Sequence, residues 1–217
     1  MKVVTVAAPK GGSGKTTLVS ALAARAALES ARVAMFDLNS DQANLTQWYI
    51  LRGEPPNPVL IEVEKISRDT EVLRNEKFEW LLIDTPPLDL DVIEAAVAVA
   101  DAVLIPVRAS IFDIGAITCL VEMCKERRKP YAFVLSAVDG KMPKLTERAR
   151  AALVTDGPVL AACLSYRQPH IAALTAGKAG FEAQKDLKSE IDQIWEDVKK
   201  LANSQFSTRS AKERANG

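Results

Sequence analysis

The 217-residue chain has few cysteines, no excess of charge of either sign and no apolar run long enough to cross a bilayer. Its three cysteines, Cys119, Cys124 and Cys163, are odd in number and lack C-x-x-C spacing, so we expect buried thiols and neither a disulfide framework nor a bridged metal cluster. The 28 basic and 28 acidic residues balance, which leaves nucleic-acid binding to depend on local basic clusters. The chain starts with a strand-like segment instead of a secretory signal, so we expect a cytoplasmic protein.

What is present is the composition of an ordinary globular protein, with 48% hydrophobic and 26% charged residues. Strand patterns alternate with helix patterns along the chain, which predicts an α/β fold: a mostly parallel, doubly wound sheet with helices on both faces. The last strand is predicted over residues 159–163. We predict one domain over residues 1–204, followed by a polar tail over residues 205–217.

The most informative stretch is residues 3–17, VVTVAAPKGGSGKTT. A β-branched run is followed by a glycine-rich turn and then by apolar residues at helical spacing, which indicates a strand, a phosphate loop and a helix. The pattern G-x-x-x-x-G-K-[ST] is met except that Pro9 replaces the first glycine. A tight βα turn is the structural alternative, but the two lysines and two threonines together favour phosphate binding. The predicted nucleotide-binding residues are Lys10, Gly11, Gly12, Ser13, Gly14, Lys15, Thr16 and Thr17.

In such a loop the backbone N–H groups cradle the phosphates, and Lys15 would reach the β- and γ-phosphates. The Thr16 hydroxyl would ligate Mg²⁺. A second apolar strand ends at Asp84, which we predict to contact the same Mg²⁺ through a water molecule. Another buried strand ends at Asp37, which is expected near the phosphate end of the sheet.

The form K-G-G-x-G-K-T-T, together with D-T-P-P from Asp84, resembles the ParA/MinD family of P-loop ATPases, which carry a deviant Walker A motif. The resemblance extends over nearly the whole chain and is greatest to a small ParA. It implies an ATP hydrolase of low activity that uses ATP and Mg²⁺ and forms a homodimer in the ATP state, with Lys10 reaching the phosphates of the other subunit. The implied catalytic residues are Lys10, Lys15, Asp37 and Asp41.

One segment departs from the family pattern D-x-D-P-Q-G-N-L-T. Asn39 stands in place of the second aspartate, which in the family helps to position the attacking water, and one residue is inserted before Gln42. An amide cannot act as a base, so either Asp41 replaces the lost carboxylate or the protein turns ATP over very slowly. The alternative role of Asp41 is to cap a helix over residues 42–51. Ser136 stands where many relatives have an adenine-contacting asparagine, and we predict no base contact there.

The resemblance further implies a DNA-partition ATPase that binds DNA non-specifically, associates with the nucleoid and is stimulated by a ParB-like or other cargo adaptor. Positioning of another cargo and an ATP-binding switch remain alternatives. Membrane binding is not expected, because the tail after Ser204 has only Phe206 as a large apolar residue. Non-specific DNA binding needs clustered cations, although such clusters can also be plain solvated helix faces. The candidates are Arg127, Arg128, Lys129, Arg167, Lys185 and Lys188.

Overall fold

The computed structural model describes residues 1–110, 115, 117–165 and 168–206, without the side chains of residues 168 and 169. Within these residues seven strands form one sheet in the order β3-β2-β4-β1-β5-β6-β7, and every pairing is parallel. The predicted fold class is therefore confirmed. The strands are β1 Lys2–Val6, β2 Val33–Asp37, β3 Val59–Leu60, β4 Trp80–Asp84, β5 Ala102–Arg108, β6 Tyr131–Val138 and β7 Leu164–Ser165.

Helices connect the strands and cover both faces of the sheet. Val4 and Val6 pack in one core cluster with residues of α1 and α9, whereas Val3 lies on the opposite face with residues of α3 and α4. This alternation follows from the two-residue period of a strand. The helices are α1 Lys15–Ala27, α2 Asn44–Leu51, α3 Ile66–Asn75, α4 Leu90–Val99, α5 Thr118–Glu126, α6 Pro143–Leu153, α7 Gln168–Thr175, α8 Gly180–Ala183 and α9 Lys188–Asn203, with a 3₁₀ turn Lys185–Leu187 before α9.

The predicted last strand over residues 159–163 is wrong. Val159 makes only an isolated bridge with Phe133, and the strand that joins the sheet is β7, Leu164–Ser165. The cause lies in Arg150, whose guanidinium donates hydrogen bonds to the carbonyl oxygens of Leu160 at 2.5 Å and Ala161 at 3.0 Å. Because these carbonyls already accept bonds from a side chain, the segment does not continue a ladder with β6.

The prediction of buried thiols holds for only part of the cysteines. Cys124 is buried in the core cluster beneath α5, and burial raises the pKa of its thiol to about 12. Cys163 is half-buried and accepts a hydrogen bond from Arg150. Cys119 is exposed on α5, so the prediction is wrong there.

None of the helices of the described residues combines the length and the apolar character that a membrane span requires.

Candidate nucleotide-binding site

The sheet order gathers several polar side chains at the edge where the strands end, here called the carboxyl edge. β1 lies between β4 and β5, and the phosphate loop follows β1 directly. Val6, the last residue of β1, is in register with Asp84, and Asp84 is in register with Asp37 on β2. Ligands of open parallel sheets bind outside such an edge, so the predicted residues of the phosphate loop, β2 and β4 lie where a ligand site is expected.

The glycines give the phosphate loop its shape. Gly12 and Gly14 have φ values of +69° and +92°, in the left-handed region that favours glycine. Gly14 is the N-cap of α1, and its carbonyl accepts the first helical hydrogen bond, from Leu18 N–H, at 2.9 Å. The helix N-terminus and its dipole therefore lie at the carboxyl edge, which is an arrangement suited to an anion.

Lys15 is held beneath the loop. Its side chain is largely buried, and its ammonium group donates to the carbonyl oxygens of Ala8 at 3.4 Å and Lys10 at 3.2 Å. Burial lowers the pKa of Lys15, and the negative charge of Asp84 opposes this shift. A buried ammonium whose hydrogen-bond partners in the described part of the chain are carbonyl oxygens is poised to bind a phosphate oxygen.

Thr16 and Asp84 are in direct contact. The Thr16 hydroxyl donates to Asp84 Oδ2 at 2.6 Å, and Asp84 is 1% exposed. Burial raises the pKa of Asp84 to about 7; the hydrogen bond from Thr16 opposes this shift, the charge of Asp37 adds to it, and Lys15 opposes it. A cation bound here in addition to Lys15 would relieve the repulsion between the carboxylates of Asp84 and Asp37.

The residues present fit a Mg²⁺ ion. Asp84 Oδ1 is buried and has no hydrogen-bond partner among the described residues. Magnesium prefers oxygen ligands, keeps several waters and is commonly bound by one or two protein oxygens together with substrate phosphates. No group of three or more His, Cys, Asp or Glu side chains in the described part of the chain could hold a metal. The site therefore suits an ion that the nucleotide itself helps to bind.

Asp37 holds the loop between β2 and α2. Its carboxylate accepts hydrogen bonds from the backbone N–H and hydroxyl of Thr46, both at 2.9 Å, and from the N–H of Asn39 at 3.1 Å. Asn39 is 8% exposed, and its carbonyl accepts a bond from Ala43 N–H at 2.7 Å. Asp41 is exposed in the same loop. The structure thus places the amide, and not the nearby carboxylate, in the buried position.

The prediction that Asp41 caps the next helix is wrong. The helix begins at Asn44, its N-cap is Ala43, and no side chain caps it. Asp37 replaces the cap from the previous strand, because its carboxylate accepts the N–H of Thr46 in the first turn.

The described basic residues predicted to contact DNA lie on opposite faces of the sheet. Lys129 donates to the carbonyl of Ala100 just before β5, so the cluster Arg127, Arg128 and Lys129 lies at the edge where the strands begin. Helix α9 packs on the other face of the sheet, and Asp192 in its second turn pairs with Arg25 in the last turn of α1. Its first residue is Lys188, and Lys185 precedes it.

Several of these cations already have partners. Arg127 pairs with Glu94, and Lys188 pairs with Asp192 at 2.6 Å. Lys129 is half-buried, and burial lowers its pKa; Asp101 opposes that shift. Arg128 and Lys185 are exposed. Arg167 lies outside the described residues. The five described residues therefore do not form one continuous patch on a single chain.

Arg108, at the end of β5, was not assigned a role from the sequence. Its Nη1 atom lies 3.7 Å from the point where a Cβ on Gly12 would lie, so its guanidinium group lies beside the phosphate loop. The available signal was a cation that ends an apolar strand beside the strand of the loop, but neighbouring strands are known only once the sheet order is known.

Comparison with known proteins identifies the family. The model of the CobQ/CobB/MinD/ParA nucleotide binding domain matches residues 4–179. The chain is 30% identical over 155 residues to the chromosome-partitioning ATPase Soj of Thermus thermophilus, an alignment that spans 58% of this chain and 62% of Soj, less than two thirds of that relative's length. It is 26% identical over 200 residues to the maintenance of carboxysome distribution protein A of Halothiobacillus neapolitanus, covering 88% of this chain and 92% of that protein.

A solved structure agrees with this assignment at the level of the fold. A putative plasmid partition protein of Borrelia burgdorferi, bound to AMPPNP, superposes with a TM-score of 0.75 at 20% identity, and the match covers 92% of this chain and 99% of that one. The family model covers well over half of the chain. The chain therefore belongs to the CobQ/CobB/MinD/ParA nucleotide-binding domain family, and its resemblance to the ParA/MinD ATPases is confirmed.

Proposed function

We propose that this protein is a ParA-type DNA-partition ATPase that binds ATP with Mg²⁺, dimerises in the ATP state, binds DNA non-specifically and is released when a partner stimulates hydrolysis. The observation that carries the proposal is the placement of Lys15, Thr16 and Asp84 around one phosphate loop at the carboxyl edge. Two relatives support it by their described roles: Soj is a chromosome-partitioning ATPase, and the Borrelia protein is a putative plasmid partition protein bound to AMPPNP.

The proposed chemistry follows from the residues at this edge. The loop N–H groups and Lys15 hold the phosphates, and Thr16 and Asp84 hold Mg²⁺, which when bound neutralises charge on the β- and γ-phosphates. Asp37 positions the loop that carries Asn39, because it accepts the N–H of that residue. The Asn39 amide can orient a water molecule but cannot take its proton, so intrinsic hydrolysis is slow.

Exposed apolar side chains support dimerisation through the carboxyl edge. Leu88 and Leu90, which follow β4, are 78% and 50% exposed, and Met142, which follows β6, is 53% exposed. Each of the three follows the carboxyl end of a strand, and exposed apolar patches are typical of interaction sites. A second copy placed there would cover them and would bring its own Lys10 toward the phosphates of the first copy.

Two groups of basic residues are candidates for DNA binding. Lys185 and Lys188 lie beside α1 on one face of the sheet, whereas Arg127 and Arg128 lie at the end of α5 on the opposite face. The ion pair between Lys188 and Asp192 is exposed and weak, so a DNA phosphate can compete for the lysine. We therefore favour Lys185 and Lys188 for DNA binding that requires ATP, and with it association with the nucleoid.

Two other functions remain candidates because specific observations favour them. The relative named for carboxysome distribution matches 88% of this chain, which favours positioning of a cargo other than DNA, chosen by an adaptor protein. Buried Asn39 in the loop after β2 favours an ATP-binding switch with little hydrolysis. In each case we propose that residues 1–204 act as one ATPase domain and residues 205–217 as a tail.

Sedimentation velocity with ATP, with ADP and without nucleotide tests the dimer. The wild type is expected to be monomeric with ADP and dimeric with ATP. Lys15→Gln loses ATP binding and the dimer, whereas Lys10→Gln keeps ATP binding by the monomer but weakens the dimer. Lys77→Gln, at an exposed lysine in the turn before β4 and so at the opposite edge of the sheet, is the matched control and should behave as wild type. ATP-dependent dimerisation that is unchanged in both Lys10→Gln and Lys15→Gln would overturn the proposal.

DNA binding and hydrolysis are measured on the same samples. Fluorescence anisotropy of a labelled DNA duplex should show binding only with ATP. In Lys185→Ala and in Lys188→Ala, but not in Arg127→Ala, the slope of the logarithm of the binding constant against the logarithm of the salt concentration should fall by about one unit for each lost phosphate contact. Turnover that rises with DNA and adaptor supports a partition cycle. If the wild type dimerises but ATP turnover appears only in Asn39→Asp, the protein is an ATP-binding switch and does not run a partition cycle by its own hydrolysis.

A further inference from the structure

Arg108 is the last residue of β5, and the sheet order places β5 directly beside β1, whose end leads into the phosphate loop. Its Nη1 atom lies 3.7 Å from the position that a Cβ on Gly12 would occupy. Gly12 is itself exposed, so the guanidinium group lies against the open side of the loop backbone. A side chain at position 12 would extend toward this cation, whereas glycine leaves the space open.

A second observation points to an anionic ligand at the same place. Arg108 lines a small cleft together with Ala8, Pro9, Lys10 and Ser13. Ser13 is 5% exposed, and its hydroxyl has no hydrogen-bond partner in the described part of the chain. A buried hydroxyl is unfavourable until a ligand or water satisfies it. Two cationic side chains and an unsatisfied donor in one cleft suit a group with several anionic oxygens.

We propose that Arg108 binds the terminal phosphate of the nucleotide. Thr16 and Asp84 approach the loop from the β4 side of β1, whereas Arg108 approaches from the β5 side, so that phosphates held by the loop are contacted from both sides. A guanidinium can donate two parallel hydrogen bonds to one phosphate, which an ammonium cannot do. Arg108 has a partner in this structure, and nucleotide binding therefore exchanges that partner for phosphate.

The inference rests on the proposed ATP binding, and titration calorimetry with ATP, ADP and adenosine tests both. Arg108→Gln is expected to weaken ATP binding about tenfold or more, to weaken ADP binding less and to leave adenosine binding unchanged. Arg108→Lys keeps the charge but not the paired donors, so its ATP affinity should lie between those of Arg108→Gln and the wild type. Arg148→Gln, an exposed arginine of α6, is the matched control.

The outcomes separate the two proposals. A wild type that binds ATP while Arg108→Gln binds it within twofold of wild type overturns the role of Arg108 and leaves the ATPase proposal standing. Equal losses for ATP, ADP and adenosine would show that Arg108 only supports the loop structure and would also overturn its role. A wild type that binds no ATP overturns both proposals. If Arg108→Gln does not fold, the comparison of Arg108→Lys with wild type gives the same decision.

Discussion

Replacing Ala43 by glycine should stabilise the protein, although glycine packs no better than alanine. Ala43 is the N-cap of α2 and has φ 45° and ψ 38°, which is the left-handed region. In this conformation the Cβ of an L-residue approaches its own backbone, whereas glycine has no Cβ. The position also matters to the site, because the N–H of Ala43 donates to the carbonyl of Asn39.

The magnitude follows from two opposing terms. Relief of the left-handed strain is worth about 1–2 kcal/mol. The greater freedom of glycine in the unfolded chain costs about 0.4–1 kcal/mol. The net gain in the free energy of unfolding for Ala43→Gly therefore lies between about 0 and 1.6 kcal/mol, and its central value of about 0.8 kcal/mol would raise Tm by about 2–3 °C for a chain of this size.

Urea unfolding followed by circular dichroism measures this change, with thermal unfolding as a second readout. The matched control is Ala151→Gly, the same substitution at an exposed position within the right-handed helix α6. There glycine should lower the free energy of unfolding by about 0.5–1 kcal/mol. If Ala43→Gly destabilises the protein as much as Ala151→Gly does, left-handed strain at position 43 is refuted.

Two further predictions concern groups away from the nucleotide. At pH 8 iodoacetamide should modify exposed Cys119 rapidly and leave Cys124 unmodified until the protein unfolds, because burial raises the pKa of Cys124 to about 12. Peptide mapping by mass spectrometry measures the labelling of each cysteine. Equal labelling of the two would contradict this prediction. Burial opposes ionisation of Glu29, but hydrogen bonds from Trp195 and Lys199 leave its pKa lowered. Its contribution to stability is therefore full above the unfolded pKa of about 4.3 and is lost as the pH falls through the folded pKa, so Glu29→Gln should flatten the acid limb of a stability profile.

The fold class and the centre of the site follow from local patterns in the sequence. The glycine-rich turn between a β-branched strand and a helix predicts the phosphate loop, and the structure shows Gly14 as the left-handed N-cap that this turn requires. An apolar strand that ends in Asp84 predicts a carboxylate at the same edge, and Thr16 contacts it at 2.6 Å. In both cases a short segment carries the whole signal.

The wrong or missing predictions arise where contacts with other elements determine the local structure. Residues 159–163 have a strand pattern, but Arg150 of the preceding helix donates hydrogen bonds to the carbonyl oxygens of Leu160 and Ala161. Asp41 has the chemistry of a helix cap, but Asp37 already accepts a hydrogen bond from the first turn of α2. Arg108 gains its place beside the loop from the order of the strands. Each of these three effects depends on how different elements contact one another, which the pattern of a single element does not contain.

Strained backbone marks the same edge independently of any motif. Among the described residues other than glycine, four with positive φ follow the ends of helices by one to three positions, where a left-handed residue is ordinary: Ser30, Glu54, Lys77 and Arg128. The other three are Ala43, Leu88 and Ala137, and they follow or end β2, β4 and β6 at the carboxyl edge. Backbone strain is characteristic of functional and switch segments. Two of these three residues are linked to the candidate site, because the Ala43 N–H donates to the Asn39 carbonyl and Leu88 follows Asp84 by four residues, whereas Ala137 lies where the pairing of β6 with β7 shifts register.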